Sequence, residues 1–348
     1  GTTFTENKSG INGGAIGTRM ANVADNSAAK LDIAATFTGN TALGSGGAIY
    51  NTFYTNNGLG KGDGVTVTGA FTGNEAGVNG GAIYNDGSVD KKGNAGGVMT
   101  VYDSTFESNT AKTGNGGAVY NSGTLAVKNS TFGNASDSTK GNKALEIGGG
   151  AIYNVGKLDV EESDFYGNSA KYFGAIRDKV EGTSVTIKDS NFVGNTAEEV
   201  GAVGIFSRGG ESSISGSLFQ NNSATVTGAN VDGTGALFVG AEAKLTVSDT
   251  KFTGNTSVQQ AGAIGTRSFS QGNNVAAKLD IVDSTFENNI AKTEGGAINN
   301  YLYNDAAGDG YVKVTGSTFT ENQAANGGAV YNHKNATQTG SMYFAGSN

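Results

Sequence analysis

Two short motifs alternate from one end of this chain to the other, and that alternation excludes almost every fold except a stack of similar coils. The first motif is Phe-x-x-Asn. It begins at Phe4, Phe37, Phe71, Phe106, Phe165, Phe192, Phe219, Phe252, Phe286 and Phe319, with a damaged copy at Phe132 whose Asn comes one residue early, at Asn134. The second is Gly-Ala followed by an aliphatic residue, usually with another Gly in front. It recurs at Ala15, Ala48, Ala82, Ala118, Ala151, Ala175, Ala202, Ala236, Ala263, Ala297 and Ala329. Self-similarity at a fixed short period marks a solenoid, in which each repeat contacts only its neighbours.

A third element precedes most Phe residues. Paired aliphatics such as Leu125/Val127, Leu158/Val160, Val185/Ile187 and Leu279/Ile281 lie seven and five places upstream. Alternation with a period of two is a strand signal, and no useful 3.6-residue pattern accompanies it. Each unit therefore reads as three short strands: Leu-x-Val, x-Phe-x-x-Asn and Ala-Ile-Tyr. The expected architecture is all-β, a right-handed parallel β-helix of about eleven three-strand coils spanning 1–348. At ~4.8 Å per coil the stack is expected to be roughly 50 Å long. Long segments such as 56–64 and 300–310 must bulge out of it.

Stacking explains the residue choices. Phe falls over Phe, the aliphatic after Ala over its equivalent, and Leu-x-Val over the next such pair. The motif Asn is expected at a corner, where a buried amide can bond to the Asn above, the Asn below and the turn backbone. The Gly-Gly before Ala allows a positive φ and close approach of neighbouring coils. A larger period is superposed. Ala15–Arg19 matches Ala263–Arg267 and Ala28–Ile33 matches Ala276–Ile281, an offset of 248 residues. Residues 1–248 thus form a first eight-coil super-unit and 249–348 part of a second. Met342 and Phe344 fall on the paired-aliphatic positions.

Composition narrows the function. The 348 residues include 58 Gly, no Pro, no Cys and no Trp, and the net charge is −8. No basic cluster suits nucleic acid. No apolar run reaches membrane-spanning length, so this segment is not expected to cross a bilayer. Without Cys there is neither a disulfide framework nor a thiolate metal site. An acidic surface suits an exported, extracellular chain.

The alternation of Phe71-Thr72-Gly73-Asn74 with Gly80-Gly81-Ala82-Ile83, repeated along the chain, resembles the polymorphic outer-membrane proteins of chlamydiae and related autotransporter passengers. That resemblance implies a β-helical passenger on the bacterial cell surface, used in adhesion and anchored through a part outside this chain. The absence of cysteine departs from the family pattern.

No catalytic, cofactor or metal site is expected. His333 is the one histidine and reads as a turn residue. A glycosidase pair needs two carboxyls facing one groove ~5–10 Å apart. Glu161, Glu162 and Asp164, or Asp178 and Glu181, lie beside Lys residues as ordinary surface charge would. The most irregular stretch, Ala175–Gly240, carries Arg177, Asp178, Arg208, Glu211 and Asp232 and is where a pocket would sit. Asn304-Asp305…Asp309 gathers oxygen ligands without a calcium-loop pattern, and Lys61-Gly62-Asp63 resembles an integrin-binding tripeptide. The surface feature singled out is tyrosine. Tyr50, Tyr84, Tyr120 and Tyr153 occupy one position in four consecutive coils and alternate outward from the inward aliphatic. They read as a candidate binding ladder for a host or neighbouring-cell receptor, a glycan or sister rods, or as a stabilising stack of aromatic pairs. A self-assembling filament and a polysaccharide-active β-helix enzyme are the alternatives to an adhesin or stalk. The 248-residue period predicts further super-units in the parent gene. Its complete reading frame is the check, and a stop codon just after Asn348 with no repeats upstream of Gly1 would sink it.

Overall fold

A computed structural model describes residues 1–19, 30–52, 64–88, 97–179, 184–207, 209–226, 233–267, 277–301, 310–333 and 341–347. It divides into two compact units, Gly1–Lys171 and Tyr172–Asn348. Both are parallel β-solenoids, as the motif alternation predicts, with the strands in three parallel sheets.

In the first unit the coil has one strand more than the sequence suggested. The paired-aliphatic strand and the Phe strand are distinct in most coils, for example Thr124–Lys128 and Thr131–Phe132. They merge in Lys30–Thr38, which runs through both positions. A two-residue strand then follows the motif Asn: Thr41–Ala42, Glu75–Ala76, Thr110–Ala111 and Lys143–Ala144. Last comes the aliphatic-Tyr strand: Ile49–Thr52, Ile83–Asn85, Val119–Asn121 and Ile152–Asn154. A run of two residues is too short to show a period, which is why the additional strand is silent in the sequence.

Register is position on position. Val65 pairs with Met99, Met99 with Leu125 and Leu125 with Leu158. The rings of Phe4, Phe37, Phe71, Phe106, Phe132 and Phe165 stack at 4.6–5.0 Å between centroids, nearly parallel. From Phe37 onward these rings are fully buried. The second unit repeats the arrangement through Phe192, Phe219, Phe252, Phe286 and Phe319, at 4.7–5.0 Å. There Met342 pairs with Val312 and Phe344 with Val314, so both do fall on the paired-aliphatic positions.

Between the first and last rungs, Asn7 and Asn322, the ladder Asn is buried and hydrogen-bonded to the coils on both sides. The Asn109 Oδ1 accepts from the Asn74 backbone N–H and from Asn74 Nδ2, both at 3.0 Å. The Asn109 Nδ2 donates to Asn142 Oδ1 at 2.9 Å and to the Phe71 carbonyl at 2.8 Å. Two donors and two lone pairs are all that the amide possesses. The same set recurs at Asn40 and Asn74 in the first unit and at Asn222, Asn255 and Asn289 in the second.

The coil of Phe132 corrects the sequence reading. Asn134 is not its ladder residue. Its Nδ2 donates to Glu107 Oε1 at 2.8 Å. Residues 134–141 bulge outward around a short 3₁₀ turn, Ser138–Lys140, capped by Asp137. Asn142 then takes the vacant rung and bonds to Asn109 and Asn168. The coil is complete, with an insertion between its Phe and its Asn.

The two glycines at each corner do different work. Gly46, Gly80, Gly116 and Gly149 have φ of 64–69°, where a Cβ is disfavoured. At the second glycine the constraint is space: a Cβ on Gly47 would lie 2.0 Å from the Gly81 carbonyl oxygen, and one on Gly81 2.0 Å from that of Gly117.

This packing predicts an inversion of the usual ranking of core mutations. Phe106→Ala is expected to cost about 3–5 kcal/mol, the range for a buried aromatic truncation. Asn109→Leu keeps the branched shape of the side chain but strips partners from Asn74, Asn142 and the Phe71 carbonyl, at about 1–3 kcal/mol for each unmet buried group. Denaturant unfolding should show Asn109→Leu to be at least as damaging as Phe106→Ala. A loss under about 1 kcal/mol would show that the amide ladder is dispensable.

Candidate interaction surface

The tyrosine column lies on the first unit's aliphatic-Tyr sheet. Alternation along Ile83-Tyr84-Asn85 buries Ile83 in the core and Asn85 in a corner and turns Tyr84 outward, where it is half-buried. Tyr50, Tyr84, Tyr120 and Tyr153 are in register. Their rings stack at 4.9, 4.8 and 5.4 Å, with interplanar angles of 11°, 4° and 11°. The column is not uniformly open, since Tyr153 is only 7% exposed. Because each ring covers the next, ring edges and hydroxyls face outward rather than ring faces. The Tyr50 hydroxyl donates to Asp86 Oδ2 at 3.3 Å.

Burial within the stack pushes the Tyr84 hydroxyl up to about 12, helped by the negative charge of Asp86 and by Tyr50, and opposed by a hydrogen bond with Ser122. Burial, then Tyr84, Tyr153 and Asp86, push Tyr120 up to about 12 as well.

Behind the column runs a second buried amide ladder, which the motif search missed. The Thr18 hydroxyl donates to Asn51 Oδ1 at 2.5 Å, and Asn51 Nδ2 donates to Asn85 Oδ1 at 2.8 Å. Asn85 and Asn121 continue it to Asn121 and Asn154, each at 2.7 Å. The signal was present in the sequence, because Asn follows each of the four column tyrosines. It marks the residue beside the tyrosine as structural.

In the second unit the outward position changes identity at every coil. Arg177, Gly204, Phe238, Gly265, Asn299 and Tyr331 stand there in register. An outer apolar cluster forms instead, with Phe173, Val200 and Phe238 buried against Tyr172 and Phe206. Phe173 lies across the bare Gly204, where a Cβ would meet the ring at 2.3 Å. The Arg177 guanidinium sits 4.9 Å from the centroid of the same ring. Asp178 is fully buried and accepts a hydrogen bond from the Ser207 hydroxyl. The irregular stretch that drew attention for its charges is therefore, in its described part, a packing substitution.

The other acids flagged in the sequence sit on the surface. Glu161 pairs with Lys128 at 3.2 Å. Glu162 occupies a corner with φ 49°. Asp164 lies in the Phe strand, half-buried. His333 stacks on Tyr301 at 4.1 Å between centroids, and its backbone N–H donates to the Asn300 carbonyl. Arg208, Glu181, Asp232, Lys61-Gly62-Asp63 and Asn304-Asp305…Asp309 lie outside the described residues. Among the described residues no three His, Cys, Asp or Glu gather as metal ligands, and no helix is long and apolar enough to cross a membrane.

Six stretches match the family model of the Chlamydia polymorphic membrane protein repeat: 1–19, 34–52, 69–86, 103–122, 283–301 and 316–333. Together they cover roughly a third of the chain. Each runs through a Phe-x-x-Asn and its Gly-Gly-Ala, so the family resemblance seen in those motifs holds. The unmatched coils depart where the structure does: the Phe132 coil has its insertion, and elsewhere Phe173, Val200, Thr234 or Ala261 replaces the first corner glycine. No curated protein and no solved structure matches the chain.

The raised tyrosines set a pH dependence. A folded pKa of about 12 against an ordinary 10.0 means that the unfolded chain loses these protons first. Their contribution is complete below pH 10 and is lost as pH rises towards 12. The melting temperature is expected to fall across that window and to fall less in a Tyr84→Phe, Tyr120→Phe variant. Equal slopes for the two proteins would show that these hydroxyls are not held in the stack.

Proposed function

We propose that this chain, built on polymorphic membrane protein repeats, is part of the exposed passenger of a bacterial outer-membrane surface protein, and that it acts as a non-catalytic adhesin scaffold. The observation that carries this reading is the pairing of a family repeat with an uninterrupted ladder in the first unit. A solenoid of this kind holds surface side chains at a fixed ~4.8 Å repeat. It offers an extended attachment face without a deep pocket.

Tyr50, Tyr84, Tyr120 and Tyr153 are the proposed contact residues on that face. Their outward edges and hydroxyls suit a host or neighbouring-cell receptor or glycan, because an aromatic with a polar tip gives contact area and a hydrogen bond together. The stack is already ordered by its own ring contacts, so little side-chain entropy remains to be lost on binding.

Replacing the four tyrosines with Ser separates attachment from stability. The expected result is loss of attachment to host cells or glycan arrays at a temperature where circular dichroism shows the variant still folded. A lower melting temperature with full attachment by the folded protein would assign the column to stability alone.

A further inference from the structure

At one corner of the second unit, two buried side-chain oxygens have no donor. They are Glu294 Oε2 and Asn299 Oδ1, and neither has a hydrogen-bond partner. Asn299 is only 2% exposed, and Glu294 is half-buried. Buried polar atoms are satisfied in native proteins, so each such exception calls for a protein group, a water or an ion.

The coil geometry brings the two residues to one place. Glu294 precedes the corner glycine Gly295, on which a Cβ would lie 2.8 Å from the Asn299 backbone nitrogen. A third side chain enters from the preceding coil. The Thr293 N–H donates to the Gln259 carbonyl and the Ala261 N–H to the Glu294 carbonyl, which sets Gln260 beside Glu294. The Asn299 Nδ2 donates to Gln260 Oε1 at 3.2 Å, so the two amides meet between the coils.

The residue types differ here from the equivalent corners of the first unit. There, the residue before the corner glycine gives its oxygen to the next coil. Asn12 Oδ1 accepts from the Ser45 N–H and Asn79 Oδ1 from the Asn115 N–H, each at 2.8 Å. Glu294 Oε2 makes no such bond. The outward column also lacks rings at this point, since Gly265 and Asn299 stand in register where the first unit has tyrosines.

We infer that Gln260, Glu294 and Asn299 form a calcium site that ties the coil of Ala263 to the coil of Ala297. The donors are all oxygens, one carboxylate and two amides, which is the set a hard cation takes. Magnesium is disfavoured, because it demands a near-ideal octahedron and gives up its water reluctantly. A single carboxylate keeps the affinity low, and water completes the shell. Three acceptors at one corner are one more than a bridging water can donate to. The site does not depend on the adhesive role proposed above.

Hydrogen exchange on the full chain, in calcium chloride or in EDTA, tests the inference, because protection in a solenoid is local. Calcium is expected to slow exchange in residues 260–266 and 293–300 and to leave 118–121 unchanged, with half-saturation at about 10⁻⁴–10⁻³ M. Magnesium at the same concentration should do much less. Glu294→Gln removes the charge and keeps the shape, so it is expected to weaken the calcium response at least about tenfold without loss of protection in EDTA. Asn299→Asp adds a second carboxylate. It is expected to lower the half-saturation concentration at least about tenfold, with the corner less protected than wild type in EDTA and restored by calcium. A wild-type corner indifferent to calcium would overturn the site and leave a water, or reversed amides of Gln260 and Asn299, to supply the missing donors. A Glu294→Gln variant that responds like the wild type, or an Asn299→Asp corner that calcium does not restore, would overturn it as well.

Discussion

Everything in this fold depends on a carboxamide that has no unmet hydrogen-bonding capacity. A coil of mostly short strands cannot hold its own shape, and apolar side chains alone set no register, because one Phe can slide over another at little cost. The corner Asn removes that freedom. Its Oδ1 takes two bonds from the preceding coil, while its Nδ2 gives one to the next Asn and one to a Phe carbonyl. A shift of one residue breaks all four in a fully buried site, and unmet buried polar groups cost more than made ones return. The Phe ladder is thus aligned by the amide ladder as well as by its own packing.

The repeat was legible because the same chemistry must recur at every rung. Phe-x-x-Asn and Gly-Gly-Ala are visible by eye for that reason, and so is the aliphatic pair upstream of Phe. What escaped was whatever the chain encodes without recurrence in a longer pattern. The two-residue Asn-x-Ala strand is too short to display a period. The true rung of the Phe132 coil, Asn142, stood beyond an insertion, and proximity favoured Asn134. Asn51, Asn85, Asn121 and Asn154 were visible as letters but not as a ladder, since an Asn after Tyr has the same appearance whether it faces solvent or lies buried behind an aromatic column.

The tyrosine column and the outer Phe cluster are two answers to one problem, how to cover the outside of the same sheet. In the first unit, identical residues stack and each protects the next. In the second, Gly204 leaves a gap that Phe173 fills, and Val200, Phe206 and Phe238 complete a small outer core. The first answer is periodic and was read directly from the sequence. The second is aperiodic and was read from its charges, because the glycine and the ring that fills its place are 31 residues apart.

The amide-to-amide hydrogen bonds of the ladder all point the same way. In both units the donor belongs to the earlier coil and the acceptor to the later one, and the second ladder obeys the same order. Each amide column is therefore vectorial: every rung offers an oxygen to the coil before it and N–H groups to the coil after it. A finished coil is a template for one orientation of its successor only, since an inverted coil would set donor against donor. Folding that starts at one coil can consequently propagate rung by rung, with the asymmetry of each amide fixing which way round the next coil is laid.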